Sequence, residues 1–319
     1  MDQPTVLALR ALKLGDLLVA VPALRALRAG LPEHRLLLAC AAWLHPVIEL
    51  IGDVDAHLPV RGLDAALPAA PGDVDVAVNL HGNGRESRGR LEALAPAHRI
   101  GHRAPGWDGP EWVDDIHERE RWVRLLAAHG MPGDAADLRL RTEGLALGAH
   151  GGGPGAAVVH VGAAHGSRQW PAERFARVAR GLAEHGLRVL VTGDGRERAR
   201  AEEVVRLAAG PRRPAPAPPA VRSLAGSLSL RELCALIAGC ELVVSADTGA
   251  AHLASAFGRP SVVLFGPAAP EHWGPPDGPH RVLTDARLRR GEVFAADPDP
   301  ALLAVEPEDV LRAAALLIG

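Results

Sequence analysis

The segment Leu242 to His252 reads LVVSADTGAAH, an apolar run that ends in Asp247-Thr248-Gly249 and passes directly into small apolar residues. This pattern predicts a buried strand whose carboxyl end opens a helix. Such a junction aims backbone N–H groups and the positive end of the helix dipole at one point, and the chemistry it offers is anion binding. Thr248 adds a hydroxyl donor, Gly249 lets a phosphate approach the backbone, and His252 follows one turn into the helix. Asp247 would repel phosphate and is expected to cap the helix or to accept from a hydroxyl. Taken alone, Asp-Thr-Gly is equally consistent with a plain N-cap.

A second segment, His160 to Pro171 (HVGAAHGSRQWP), repeats the layout of strand, small-residue loop and Pro-started helix. Ser167 and Arg168 fall in the loop, and an arginine there can clamp a diphosphate with two parallel hydrogen bonds. Both loops are expected at the same edge of one domain, where together they make a diphosphate cradle that needs no metal. Near the start, Lys13-Leu14-Gly15-Asp16 opens a helix after a short strand. Asp16 reads either as a first-turn carboxylate favoured by the macrodipole or as a general base. Spacing leaves both readings open. His81 and Asn83 lie in the turn after DVAVNL and are either polar contacts of a binding cleft or ordinary loop residues. The Gly82-Asn83-Gly84 turn lacks the full dinucleotide fingerprint, which argues against NAD.

These residues need elements to hold them. Val6 to Leu9 predicts a strand, followed by a helix to about Arg28. Arg35 to Cys40 and Asp75 to Leu80 predict strands, and Trp43 to Ile51 and Glu118 to His129 helices. The glycine-rich, aperiodic stretch Thr142 to Ala156 reads as a linker. A second series then follows: strands at Ala157 to Val161, Leu187 to Thr192, Leu242 to Ser245 and Ser261 to Phe265; helices at Pro171 to His185, Leu230 to Gly239, Ala250 to Phe257 and Pro307 to Ile318. Pro211 to Ala220 (PRRPAPAPPA) predicts a Pro-rich loop. Alternating apolar strands and helices imply two doubly wound α/β domains with parallel sheets. Residues 1–148 form the first expected domain, 149–305 the second, and 306–319 a closing helix. Ligands are expected at the carboxyl ends of the strands, in a cleft between the domains.

Composition narrows the partners. The 319 residues carry a net charge of −3, so no global basic field attracts nucleic acid or anionic membrane. The 15 His are scattered without HExxH or paired ligand spacing, and no metal site is expected. Cys40, Cys234 and Cys240 stand in apolar contexts without a CxxC, the pattern of reduced thiols in a cytoplasmic protein. No secretory pattern or uninterrupted apolar span is present. Lys13 is the single lysine among 35 basic residues. The scarcity follows the Ala-, Arg-, Gly- and Pro-rich bias of the whole chain.

At these residues the chain resembles glycosyltransferase family 9, the ADP-heptose:lipopolysaccharide heptosyltransferase family. The likeness runs through ALRALKLGDLLVAVPALRALRAGLP, DVAVNLHGNGRESRGRL, HVGAAHGSRQWPAERFARVA and SLAGSLSLRELCALIAGCELVVSADTGAAHLASAFGRPSVVLFGP, in that order. The resemblance implies a GT-B fold of two Rossmann-like domains, with an acceptor held by the first and a nucleotide-diphosphate sugar by the second. It also implies inversion at the anomeric carbon without a metal or cofactor. By motif position Asp16 matches the family's base, Ser167 and Arg168 its phosphate loop, and Asp247, Thr248, Gly249 and His252 its donor site. Lys13, His81 and Asn83 would then face the acceptor side, with Lys13 able to contact an anionic acceptor. The implied enzyme moves a heptose or related hexose, as in ADP-heptose, to a hydroxyl of a glycan, glycolipid or natural product. An epimerase or hydrolase of the same fold, or a non-catalytic nucleotide-sugar-binding partner, are the alternatives. Arg168 stands where the family usually has Lys, Ala268 where Thr or Ser is common, and Ser223 near a Glu that contacts adenine, which leaves the donor nucleotide open.

Overall fold

The computed structural model describes residues 3–209 and 220–318. Residues 211–219 of the expected Pro-rich loop lie outside them. The chain divides into two units, Met1–Arg141 and Thr142–Gly319. The glycine-rich stretch read as a linker belongs to the second unit. Its Leu147 backbone lies against Gly239, where a Cβ would come within 2.4 Å of the Leu147 carbonyl oxygen, and His150 pairs with Glu232 at 3.0 Å.

The first unit runs β1 (Thr5–Leu9), α1 (Leu14–Gly30), β2 (Arg35–Cys40), α2 (His45–Ile51), β3 (Ala56–Pro59), β4 (Val76–Asn79), α3 (Arg85–Glu92), β5 (His98–Ile100) and α4 (Glu118–Ala128). Its five strands are all parallel in the order β3-β2-β1-β4-β5. The second unit runs β6 (Ala156–His160), α5 (Ala172–Glu184), β7 (Arg188–Thr192), α6 (Arg198–Ala209), β8 (Val221–Ser223), α7 (Leu230–Gly239), β9 (Leu242–Ala246), α8 (Gly249–Ala256), β10 (Ser261–Leu264), α9 (Pro270–Trp273), β11 (His280–Leu283), α10 (Pro300–Leu303) and α11 (Pro307–Ile318). Its six strands are likewise parallel, in the order β11-β10-β9-β6-β7-β8. Both orders start in the middle of the sheet and reverse direction once, between β1 and β4 and between β6 and β9. Those reversal points are where a doubly wound sheet binds ligands, outside the carboxyl ends of its strands.

The central strands read clearly in the sequence because they are apolar on both faces; β4 and β9 are buried at every residue. The strands that sequence reading missed lie at or near the sheet edges: β3 (AHLP), β5 (HRI), β8 (VRS) and β11 (HRVL) carry polar side chains. The helices α3 and α6 were missed because they are dominated by charged residues. In the second unit Trp170 is fully buried, packs edge-on against Phe175 at 4.9 Å and donates from its indole N–H to the Val305 carbonyl at 3.1 Å. It anchors the loop that carries Ser167 and Arg168. Among the described residues no helix is long and apolar enough to cross a membrane.

Candidate active site

In the second unit the loops after β6 and β9 both leave the reversal point. They bring Arg168 and Asp247 together, Nη1 to Oδ2 at 3.4 Å, with His252 Nε2 at 3.7 Å from the other carboxylate oxygen. The Asp247 side chain is 6% exposed and that of Arg168 29%. Thr248, not Asp247, stands at the N-cap of α8, correcting the expectation that Asp247 caps the helix. The Thr248 hydroxyl does not bond the helix; it meets Ser245 Oγ at 2.8 Å. Asp247 instead orients the guanidinium beside the start of α8, and Arg168 Nε is buried with no hydrogen-bond partner. A buried, unmatched N–H is costly, and an anion oxygen arriving there would offset that cost.

Ser167 is used differently from the expectation. Its hydroxyl is buried and donates to the Val293 carbonyl at 2.8 Å, while its backbone N–H donates to Ala295 O at 2.9 Å and its carbonyl accepts from Asp299 N–H at 3.0 Å. A strap of chain is thereby pinned across the 3-10 turn Gly166–Arg168. Only glycine fits at 166, since a Cβ would sit 1.5 Å from the Ala296 carbonyl oxygen. The turn Gly195–Glu197 and the start of α6 clamp the same loop. Glu197 accepts from Ala163 N–H at 2.8 Å and from Asp194 N–H at 2.7 Å, and Arg200 donates to the Val161 carbonyl at 3.1 Å and to that of Trp170. His160, at the end of β6, is half-buried and bonds the Thr192 hydroxyl at 3.0 Å, and desolvation pushes its pKa down to about 4.

In the first unit Asp16 lies in the first turn of α1. Its Oδ2 accepts the Lys13 backbone N–H at 3.2 Å, and its side chain is 26% exposed. Lys13 thus contributes through its amide, and its side chain is exposed. Directly after β1, Arg10 is buried, its side chain 2% exposed; Nε donates to the Asp16 carbonyl at 2.9 Å and Nη2 stands 3.9 Å from Asp16 Oδ1. His81, after β4, is half-buried with an unpartnered Nδ1, and its pKa is lowered by burial and then by Arg10, against an opposing pull from Asp16. Its turn is shaped by Asn79, whose carbonyl oxygen accepts from His81 N–H at 3.1 Å while its amide donates to Gly82 O and Ser87 Oγ, both at 3.1 Å. Asn83 is not brought to this group; its side-chain oxygen accepts from Arg88 at 2.8 Å on an exposed turn.

Sequence reading missed Arg10, Asn79, Glu197 and Arg200 as site residues. Arg10 and Asn79 left a signal, a polar residue at the carboxyl end of an apolar strand. Glu197 and Arg200 left none in the charged run GRERARAEE.

Residues 134–287 match the model of glycosyltransferase family 9 (heptosyltransferase). Lipopolysaccharide heptosyltransferase 2 of Escherichia coli strain K12 is 29% identical over 150 residues, 46% of this chain and 41% of that protein. The match therefore spans about two fifths of the length of that curated relative. Among solved structures, E. coli ADP-heptose lps heptosyltransferase II superposes with a TM-score of 0.77 at 21% identity, covering 98% of each chain. The iron-containing dodecameric glycosyltransferase TibC of enterotoxigenic E. coli gives a TM-score of 0.62 at 16% identity over 99% of this chain and 76% of its own. These likenesses agree with the expected architecture of two Rossmann-like, parallel-sheet domains of the GT-B kind.

Proposed function

With residues 134–287 belonging to glycosyltransferase family 9, we propose that the chain is an inverting, metal-independent glycosyltransferase that moves a heptose or related hexose from a nucleotide-diphosphate donor to a hydroxyl acceptor. The observation that carries the reading is Arg168, held by the buried Asp247 at the reversal point of the second sheet with Nε–H unpartnered. This is a cation built to receive an anion, and it stands beside the N-terminus of α8. Ser167 serves by pinning the loop that carries Arg168. Thr248, Gly249 and His252 complete the donor side with a hydroxyl, an approachable backbone and an imidazole. Asp16 supplies the base, with Lys13 and His81 near it on the acceptor side.

In the reaction the acceptor oxygen forms a bond to the anomeric carbon as its proton passes to Asp16. The bond from that carbon to the diphosphate oxygen breaks, and the electron pair leaves with the nucleoside diphosphate. Arg168 and the helix end stabilise the charge that develops on the leaving group. No metal is required in this scheme. ADP-heptose, the ligand named for related proteins, is the first donor to test, and an anionic glycan or glycolipid the first acceptor class.

The test is a thermal-shift and calorimetric screen of ADP-, GDP-, UDP- and dTDP-sugars, since a ligand that binds only the folded state raises the melting temperature. The positive donor is then assayed for transfer with and without EDTA. Equal rates are expected. Loss of transfer with EDTA overturns metal independence, and no response to any nucleotide sugar overturns the donor site.

A further inference from the structure

We infer that Arg10, backed by Glu118, is the positioning residue of the Asp16 carboxylate: a buried cation fixed by three elements holds the base by its backbone and stands beside its free oxygen. This rests on the reading of Asp16 as base and extends it to residues outside the motif.

Every side of the Arg10 guanidinium is committed. Nε donates to the Asp16 carbonyl at 2.9 Å, Nη1 donates to the Leu80 carbonyl in the turn after β4, and Nη2 stands 4.0 Å from Glu118 Oε2 on α4. Its plane lies over the Trp122 ring, 4.7 Å from the centroid. Glu118 is fixed in turn, accepting from Arg121 Nε at 2.7 Å and from the Trp122 indole N–H at 3.1 Å. Burying a guanidinium is expensive, and a strand end needs no charge. The arrangement gains meaning from Asp16. One carboxylate oxygen is occupied by the Lys13 amide, while the other lies 3.9 Å from Arg10. That separation is too long for a hydrogen bond, and the two groups meet as opposite charges. Oδ1 therefore keeps its lone pair for the acceptor's proton. The titratable and charged groups around this centre are Asp16 on α1 with Lys13 just before it, His81 after β4, and Glu118 and Arg121 on α4. Arg121 opposes Arg10 and Glu118 supports it.

The experiment needs no substrate. In full-length protein labelled at Asp and His carbons, the titrations of Asp16 and His81 are followed by NMR in wild type, Arg10→Met and Glu118→Gln, with Asp16→Asn and His81→Gln assigning the signals. Arg10→Met removes the nearby positive charge, so both midpoints are expected to rise. Glu118→Gln uncovers the charge of Arg10, so both midpoints are expected to fall. A purely structural role for Arg10 would not produce opposite signs. Unmoved midpoints in folded Arg10→Met protein overturn the inference; should that variant fail to fold, an unmoved Glu118→Gln protein overturns it as well. Failure of the base reading appears separately, as wild-type transfer from ADP-heptose by Asp16→Asn.

Discussion

The reversal points of the two sheets share a topology and use opposite charge. In the first unit the cation is the buried member, Arg10, and the carboxylate of Asp16 is left partly open. In the second the carboxylate is buried, Asp247, and the guanidinium of Arg168 is left partly open. In each unit the buried ion orients the other, and the open ion is the one that can meet a ligand. On the proposed reading, one fold presents a proton acceptor in one unit and an anion receptor in the other, by exchanging which sign lies inside.

The strongest way to break this comparison is Asp16→Asn. We expect turnover to fall by roughly 10²-fold or more, with donor affinity unchanged by calorimetry; undiminished turnover would take the base out of the first unit. Next is Arg168→Ala, which removes charge-assisted hydrogen bonds worth about 1.5–3 kcal/mol each. Donor affinity should weaken roughly tenfold to a hundredfold, and equal dissociation constants in both proteins would end the anion-receptor reading. The burial asymmetry also predicts which deletions unfold the protein. Arg168→Ala strands a buried carboxylate and should lower the melting temperature more than Asp247→Asn, which leaves a cation able to reach water. The reverse order would mean that Asp247 does not depend on Arg168.

Gly166→Ala should cost about 1–3 kcal/mol in urea denaturation, the scale of overpacking, because its Cβ meets the Ala296 carbonyl. No loss would show that the strap moves aside freely. A smaller, graded effect is expected with pH. Burial pushes His102 in the first unit and His160 in the second to about 4 from 6.5. Between those values the unfolded chain binds protons that the folded chain refuses, so stability is full above pH 6.5 and is lost as pH falls towards 4. Urea midpoints at pH 7 and 5 measure this, and replacing His160 by Gln should shrink the difference.

Much of this was legible in particular residues. LVVSADTGAAH announced β9 and the start of α8 because a strand buried on both faces is a continuous apolar run. HGSRQWP announced a loop because glycine and proline restrict the backbone wherever they occur. Which atom each side chain addresses was not legible. Ser167 looked like a phosphate donor and proved to be a pin for the strap at Val293, more than a hundred residues away in sequence. Asp247 looked like a cap and proved to be the partner of Arg168. Glu197 and Arg200, which clamp the Arg168 loop, stood in a charged run with no periodicity to single them out.

By itself, then, the sequence determined the alternation of elements, the central strands, the small-residue loops and the motifs that match the glycosyltransferase family 9 model. These follow from local rules of hydrophobic burial and backbone freedom that act over a few residues. Tertiary structure alone decided which member of each charge pair lies inside. Burial depends on elements far apart in the chain, such as Glu118 and Trp122 closing over Arg10. An ion removed from water is confined to the partner it finds there, and its partner alone remains open to a ligand.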